Sequence, residues 1–559
     1  MEIDNPLYTL SGDDLKKRIL SATAEDALEI ILDSSSPATL VQSFSEEDLF
    51  WLVQSIGPRD ALPVLSVASN KQWRYMVDLQ VWGRDRLNID SVHSWFSLLL
   101  SADTKRFLNW GFREQPEITY LYLFKNIEVK IREEDQSLSD FNDDFFTLDG
   151  VFFVRVLNQG HEAFVRDFLD RLARHNLDFY HALLLNIRGV LADALEEEGY
   201  HFKSVRLAEK GFLPFEEAIG VYQYLNLQTV TENRYKITRK KDKTSQPLTN
   251  MTYFLPSIAG DSLFVSYMRK IDSPETIERL QCELAGLCNQ ILSADLQVVN
   301  DREVLKQAIQ KAGGYLSIGL DLLGQGDPAT RTDILDRYPL NLIFRLGYGQ
   351  ALERKWHAEK WLKGAWFKDA GLEISFWGQR WEGLLTGLGK KRPLFYTGLA
   401  EKEYREFESP DDIAHWDRGL EQIRNLDRLF AAIFATRVPT WTVADNDLTW
   451  KSLLLTLWAR RESGMPITPE PVTTEEIKPW FQNLWVNKGG MSRIRQETKT
   501  SFLDWIANYT EPEEDILNGL ANTFEELFEE LEGEYRSVQA EDLDPKFVRL
   551  FRLKGRGNK

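Results

Sequence analysis

Apolar residues recur along the first part of this chain in short helical stripes, each cut off by turn residues after about a dozen positions. Leu40, Val41 and Phe44 precede the cap-like Ser45; Leu49, Leu52, Val53 and Ile56 follow it, and Gly57-Pro58 ends the helix. Ala61, Leu62 and Leu65 make the next stripe, and Trp73, Met76 and Val77 begin another, at separations that a 3.6-residue period places on one face. Helices this short are marginal alone, so each stripe has to be covered by a neighbour. The run from Leu15 to about Asn126 therefore predicts a mainly α protein, a multi-helical array of short helices stacked as a superhelix, although no strict internal repeat marks a regular solenoid.

Residues 127–156 break the helical period. Ile127, Val129 and Ile131 alternate with Glu128, Lys130 and Arg132, and after a polar stretch Phe145–Leu148 meets Val151–Val156 across Asp149-Gly150. An Asp-Gly pair between two β-rich runs is a strong hairpin signal, because both turn positions take a positive φ. A small β-hairpin insertion is expected here. Helix resumes with Phe164, Val165, Phe168, Leu169 and Leu172 and continues over about 182–198 and 203–226. The polar, basic stretch 228–260, with Pro247 and Pro256, reads as a linker or long surface connection. It divides an N-terminal array at 1–227 from a Trp-rich helical region at 261–559, which has minor joints at 436–447 and 464–472.

Hydrophobic residues at 43% and charged residues at 27% of 559 exclude wholesale disorder and a fibrous repeat. A net charge of −19 disfavours nucleic acid and anionic membranes as partners. That charge is uneven: residues 511–544 hold thirteen acids and one base, and 545–559 hold six bases and no acid, so a nucleic-acid contact is expected only through the basic tail 546–559. The N-terminus has no basic region ahead of an apolar stretch, and no apolar run reaches the roughly 18 residues of a membrane span. Cys282 and Cys288 lie about 240° apart around a helix and read as free thiols. A cytoplasmic protein with no membrane partner is expected.

Familiar catalytic patterns fail on inspection. Gly319 and Gly324 have the separation of a phosphate loop, but Gln325 and Gly326 stand where its Lys and hydroxyl belong. Asp140, Asn142 and Asp144 match the start of a calcium loop, but Phe145 and Val151 occupy its Gly and Glu positions. No serine sits in a glycine-flanked elbow. Four histidines have an acid three residues earlier: Asp90 with His93, Asp178 with His181, Glu198 with His201, and Asp412 with His415. On a helix this spacing puts both side chains on one face, as di-metal carboxylate bundles require, so Asp178, His181, Glu198 and His201 are the candidate ligands for a divalent metal. No other cofactor is expected. Trp356, Trp361, Trp366, Trp377 and Trp381 lie among basic residues, but steps of five turn about 140° each, which suits core packing better than a stacking platform.

Residues 194–225, together with Gln72–Leu87 (Trp82, Asp85-Arg86-Leu87) and Thr147-Leu148-Asp149-Gly150, resemble a bacterial family of uncharacterised proteins, in matching order along most of the chain. An Asp more often stands in that family where Glu209 stands here. The resemblance implies a bacterial, cytosolic setting and carries no activity. The short-helix array is also loosely similar to the cytosolic superhelical domain of magnesium transporters, at the level of fold. Within the motif itself, Glu196–Glu198 and Arg206 suggest a clamp of acid-to-arginine hydrogen bonds, with Gly211 ending the helix before Pro214. The alternative is a polar cleft in which Glu197, Glu198, His201 and Arg206 have shifted pKa values. With no chemistry legible, the expected function is a non-enzymatic protein-interaction or scaffold role with a protein partner; the alternative is an enzyme or sensor using the carboxylate/histidine metal site.

Overall fold

Side-chain caps set the helix ends that the turn residues announce. In the computed structural model, Ser45 Oγ accepts from Asp48 N at 3.1 Å and starts helix Glu46–Ile56. Ser69 and Gln72 form a capping box at the head of helix Asn70–Gln80, and Gln72 Nε2 reaches back to Val41 O and Phe44 O, both at 3.0 Å. The structure describes residues 12–83, 85–133, 136, 141–210, 212–232, 262–297, 302–324, 328–399, 403–436, 439, 448–488, 491–510 and 514–554. The protein is mainly α, with short helices in its N-terminal part, longer ones such as Pro274–Ala294 and Pro410–Ile433 after it, and small antiparallel strand pairs inserted between helices. Among the described residues no helix is long and apolar enough to cross a membrane.

The insertion at 127–156 is a three-stranded sheet. Strand β3 (Ile127–Ile131) and strand β4 (Phe145–Phe146) both pair antiparallel with β5 (Phe152–Val156), with Val129 opposite Val154 and Phe145 opposite Arg155. The turn differs from the expected type, because Gly150 alone of the Asp-Gly pair takes a positive φ, 74°. Asp149 instead uses its carboxylate: Oδ1 accepts from Val151 N at 2.8 Å and from Phe152 N at 2.9 Å. Three further strand pairs escaped the hydrophobic pattern, being two to four residues long: β1 (Trp82–Gly83) with β2 (Arg86–Leu87), β6 (Phe395–Tyr396) with β7 (Tyr404–Arg405), and β8 (Trp485–Lys488) with β9 (Met491–Ile494).

Two compact units make up the chain, Met1–Gly347 and Tyr348–Lys559, so the division lies inside helix Leu340–Leu362 and not at 228–260. Of that stretch, 233–260 falls outside the described residues. The reason is core continuity. Helix Pro274–Ala294 buries Leu284, Leu287, Ile291 and Leu292, packs on the short helices Phe215–Ala218 and Ile219–Tyr222, and thereby extends the first unit beyond 261. Gly319 belongs to helix Arg302–Leu323 and serves packing: a Cβ there would meet Ile343 O at 2.1 Å, and one on Gly347 would meet Tyr315 O at 1.9 Å. One continuous helix, Ala192–Ala208, replaces the expected break near 199–202.

The second unit buries most of the tryptophans. Trp366, Trp377 and Trp381 are in its core, Trp366 stacking on Phe430 and Phe434 at 5.4 and 5.5 Å, while Trp356 is exposed. The segment that begins the basic tail is also packed: Phe551 is buried, Arg552 Nη1 donates to Pro469 O at 2.5 Å and Leu553 bridges Val472. Its last residues, 555–559, and most of the joint at 436–447 lie outside the described residues.

Candidate functional site

Glu196, Gly199, Lys203 and Arg206 recur at helical spacing, so they share one face of helix Ala192–Ala208. The helix is tied down at both ends of that face. Near its start, buried Glu196 accepts from Leu87 N at 2.7 Å and from Arg86 Nη1 at 2.9 Å, which fastens the helix to the β1–β2 hairpin. Burial by itself would raise the Glu196 carboxyl, but the Leu87 N–H, Arg86 and Lys125 outweigh it and hold the pKa below the ordinary carboxylate value. Near its end, Arg206 donates from Nε to Asp78 Oδ2 at 2.7 Å and from Nη2 to Asp78 Oδ1 at 2.8 Å, a bidentate pair with a carboxylate only 1% exposed. The expected pairing of Glu196–Glu198 with Arg206 does not occur: eight to ten residues of helix separate them by about 12–15 Å along the axis, and Glu196 and Arg206 find their partners at Arg86–Leu87 and Asp78 instead. Glu197 and Glu198 are exposed, and Gly211 lies outside the described residues.

Between the two ties the helix lies close against Trp82. A Cβ on Gly199 would sit 3.3 Å from Trp82 Cη2, and the Tyr200 and Trp82 rings are 5.8 Å apart. Beyond them opens a small, half-open cavity of about 110 Å³, whose other walls come from Leu213–Phe215 and from Leu292 and Leu296 at the end of helix Pro274–Ala294. That end carries the one non-glycine with positive φ among the described residues, Leu296 at 54°, where Gln297 N bonds back to Leu292 O at 3.0 Å as in a glycine-type helix cap. Asn289 Nδ2, donating to Lys210 O at 2.6 Å, fastens the wall to the segment that follows helix Ala192–Ala208.

Lys203 is the cation inside this space. Its Nζ lies 5.2 Å from the Tyr200 ring centre and 5.9 Å from that of Trp82. Both Asp78 oxygens already serve Arg206, and among the described residues no hydrogen bond or ion pair reaches Lys203 Nζ. Burial pulls its ammonium down to about 8, with the charge of Asp78 opposing the shift only in part. The pocket is thus lined by one positive and one negative charge, Lys203 and Asp78, and the carboxylate of Asp78 is already engaged by Arg206.

The metal candidates are placed elsewhere. His181 Nε2 lies 2.7 Å from Asp149 Oδ2, so its carboxylate partner comes from the β4–β5 turn and not from Asp178, which is exposed. Glu198 and His201 are exposed on the helix away from the pocket face. Among the described residues no three His, Cys, Asp or Glu side chains are grouped to hold a metal ion. His93 instead stacks on His161 at 3.9 Å and bonds Tyr122 Oη at 2.9 Å. Lys203, Asp78, Tyr200 and Leu296 are not singled out by the sequence, although all but Leu296 fall in two of the three segments that carry the family resemblance. Their signal was a polar stripe at helical period, which a search for apolar stripes passes over.

The chain belongs to the Family of unknown function (DUF6178), which it matches over residues 5–554. No curated protein and no solved structure matches it.

Proposed function

We propose that this family member is a small-molecule-binding protein whose site is the cavity between helix Ala192–Ala208, Trp82 and the end of helix Pro274–Ala294. One observation carries the reading: among the described residues Lys203 has no hydrogen bond or ion pair, in a pocket it shares with Trp82, Tyr200, Leu79 and Leu207, while the nearest carboxylate is locked to Arg206. Keeping an unpaired cation there works against the fold, so the arrangement makes physical sense where a ligand completes it. In this reading the protein works in the bacterial cytoplasm, where Cys282 and Cys288 remain thiols. Saturable binding of a planar anionic dye such as anilinonaphthalene sulfonate, quenching Trp82 fluorescence, tests it. Ser204→Phe, which fills the cavity from its lining, is expected to abolish the binding at unchanged stability; equal binding by that variant overturns the reading.

A protein-interaction or scaffold role is the second reading. It is favoured by Leu191, Phe202 and Val205, which stand exposed on or beside the same helix. A stoichiometric partner retained by the wild type and lost on Phe202→Glu with Val205→Glu supports it.

A further inference from the structure

We infer that Lys203 is a nucleophilic amine that captures an aldehyde or ketone in this pocket as a protonated imine. The inference rests on the pocket reading above and names the chemistry of its ligand. The amine lone pair attacks the carbonyl carbon, a C–N bond forms, and the C=O π pair moves to oxygen. A proton passes from nitrogen to that oxygen to give the carbinolamine. The hydroxyl takes a second proton from solvent and leaves as water while nitrogen forms the C=N bond, so amine, carbonyl compound and one proton become iminium and water.

Four features of the site suit this step. The amine has no competing hydrogen bond or ion pair among the described residues, so its lone pair is not engaged when the proton is off. Asp78, the acid nearest to stabilising the ammonium, is occupied by Arg206 on both oxygens. The Tyr200 and Trp82 rings that flank Nζ at 5.2 and 5.9 Å stabilise the iminium charge left after water departs. Leu79 and Leu207 give the pocket an apolar side against which the carbon skeleton of the carbonyl compound packs. A free-amine fraction of about one in ten at pH 7 follows from a pKa near 8. That is roughly two orders of magnitude above an ordinary lysine, and the weaker nucleophilicity of a less basic amine reduces the advantage to on the order of tenfold.

Trapping tests it directly. The full chain is incubated at pH 7 with benzaldehyde and sodium cyanoborohydride, which reduces an imine to a stable benzylamine, and the adducts are located by peptide mass spectrometry. The expected result is saturable labelling at Lys203 about tenfold faster than at the exposed Lys105, with a rate that climbs with pH and levels off near 8. Lys203→Arg removes that fast phase, and Ser204→Phe suppresses it with the amine still present. Labelling of Lys203 no faster than of Lys105, or equal labelling in Ser204→Phe, overturns the inference. Dye binding measured on the same samples separates the two readings: dye bound without fast labelling ends the imine alone, and loss of both ends the pocket as well.

Discussion

Helix Ala192–Ala208 and the tryptophan-rich stretch 356–381 both set aromatic rings beside cations, and they put the combination to different use. Around the second stretch several charges have partners. Arg354 pairs with Asp417 at 2.8 Å, Lys355 donates to Lys390 O at 2.6 Å, and Asp427 accepts from Trp366 N and Phe367 N, both at 3.0 Å. Its buried rings Trp366, Phe367 and Trp377 pack on their neighbours. On the first helix, Arg206 is paired and Lys203, one turn earlier, is not paired among the described residues. The difference teaches that aromatic content does not locate a site; a charge the protein leaves unsatisfied does.

Breaking the paired side of this contrast gives the largest effect. Arg206→Leu strands Asp78 as an uncompensated buried charge and is expected to cost about 3–5 kcal/mol in denaturant unfolding; a loss below about 1 kcal/mol would show that the pair holds nothing together. Asp427→Ala, in the other region, frees two backbone N–H groups in the core and is expected to cost about 1–3 kcal/mol by the same measurement. Its dye binding stays at the wild-type level, which a role for the tryptophan stretch as a ligand site would contradict.

Removing the unpaired charge should act in the opposite direction. Lys203→Met is expected to stabilise the fold by about 1–3 kcal/mol at pH 7, since a folded pKa near 8 means the folded state resists carrying the proton. The wild type binds fewer protons folded than unfolded between about pH 8 and the ordinary lysine value of roughly 10.4, so its own stability rises across that window. The advantage of the variant accordingly shrinks there, and thermal melts at pH 7 and pH 10.5 that show a constant difference would refute the assignment. The smallest effect is at the rim. Leu296→Gly relieves a left-handed backbone worth about 1 kcal/mol, so stability is expected to stay within about 1 kcal/mol of wild type while dye affinity falls as the wall is lost.

Much of the fold was legible because it is local. Ser45, Asp149-Gly150 and the apolar stripes act on residues a few positions away, and period and capping chemistry specify them without reference to the rest of the chain. The break expected near 199–202 is absent because Gly199, a poor helix former by itself, is a packing position in mid-helix against Trp82. The site was half legible. Residues 194–225 and 72–87 stood out as segments, and Arg206 stood out as a clamp, but its partner was sought among neighbouring acids when it lies on another helix at Asp78.

The amino-acid order alone therefore determined the helical class, the hairpin at 145–156 and the thiol state expected of two cysteines too far around a helix to pair. Tertiary structure decided which charges are satisfied. Arg206 and Lys203 are both cations on one helical face, and no pattern in the sequence tells them apart. Asp78 has two oxygens, and the planar fork of Arg206 takes both, which leaves Lys203 beside aromatic rings and, among the described residues, without a hydrogen bond or ion pair. Burial and partner geometry set the energy of a charge, and both arise only when segments more than a hundred residues apart meet.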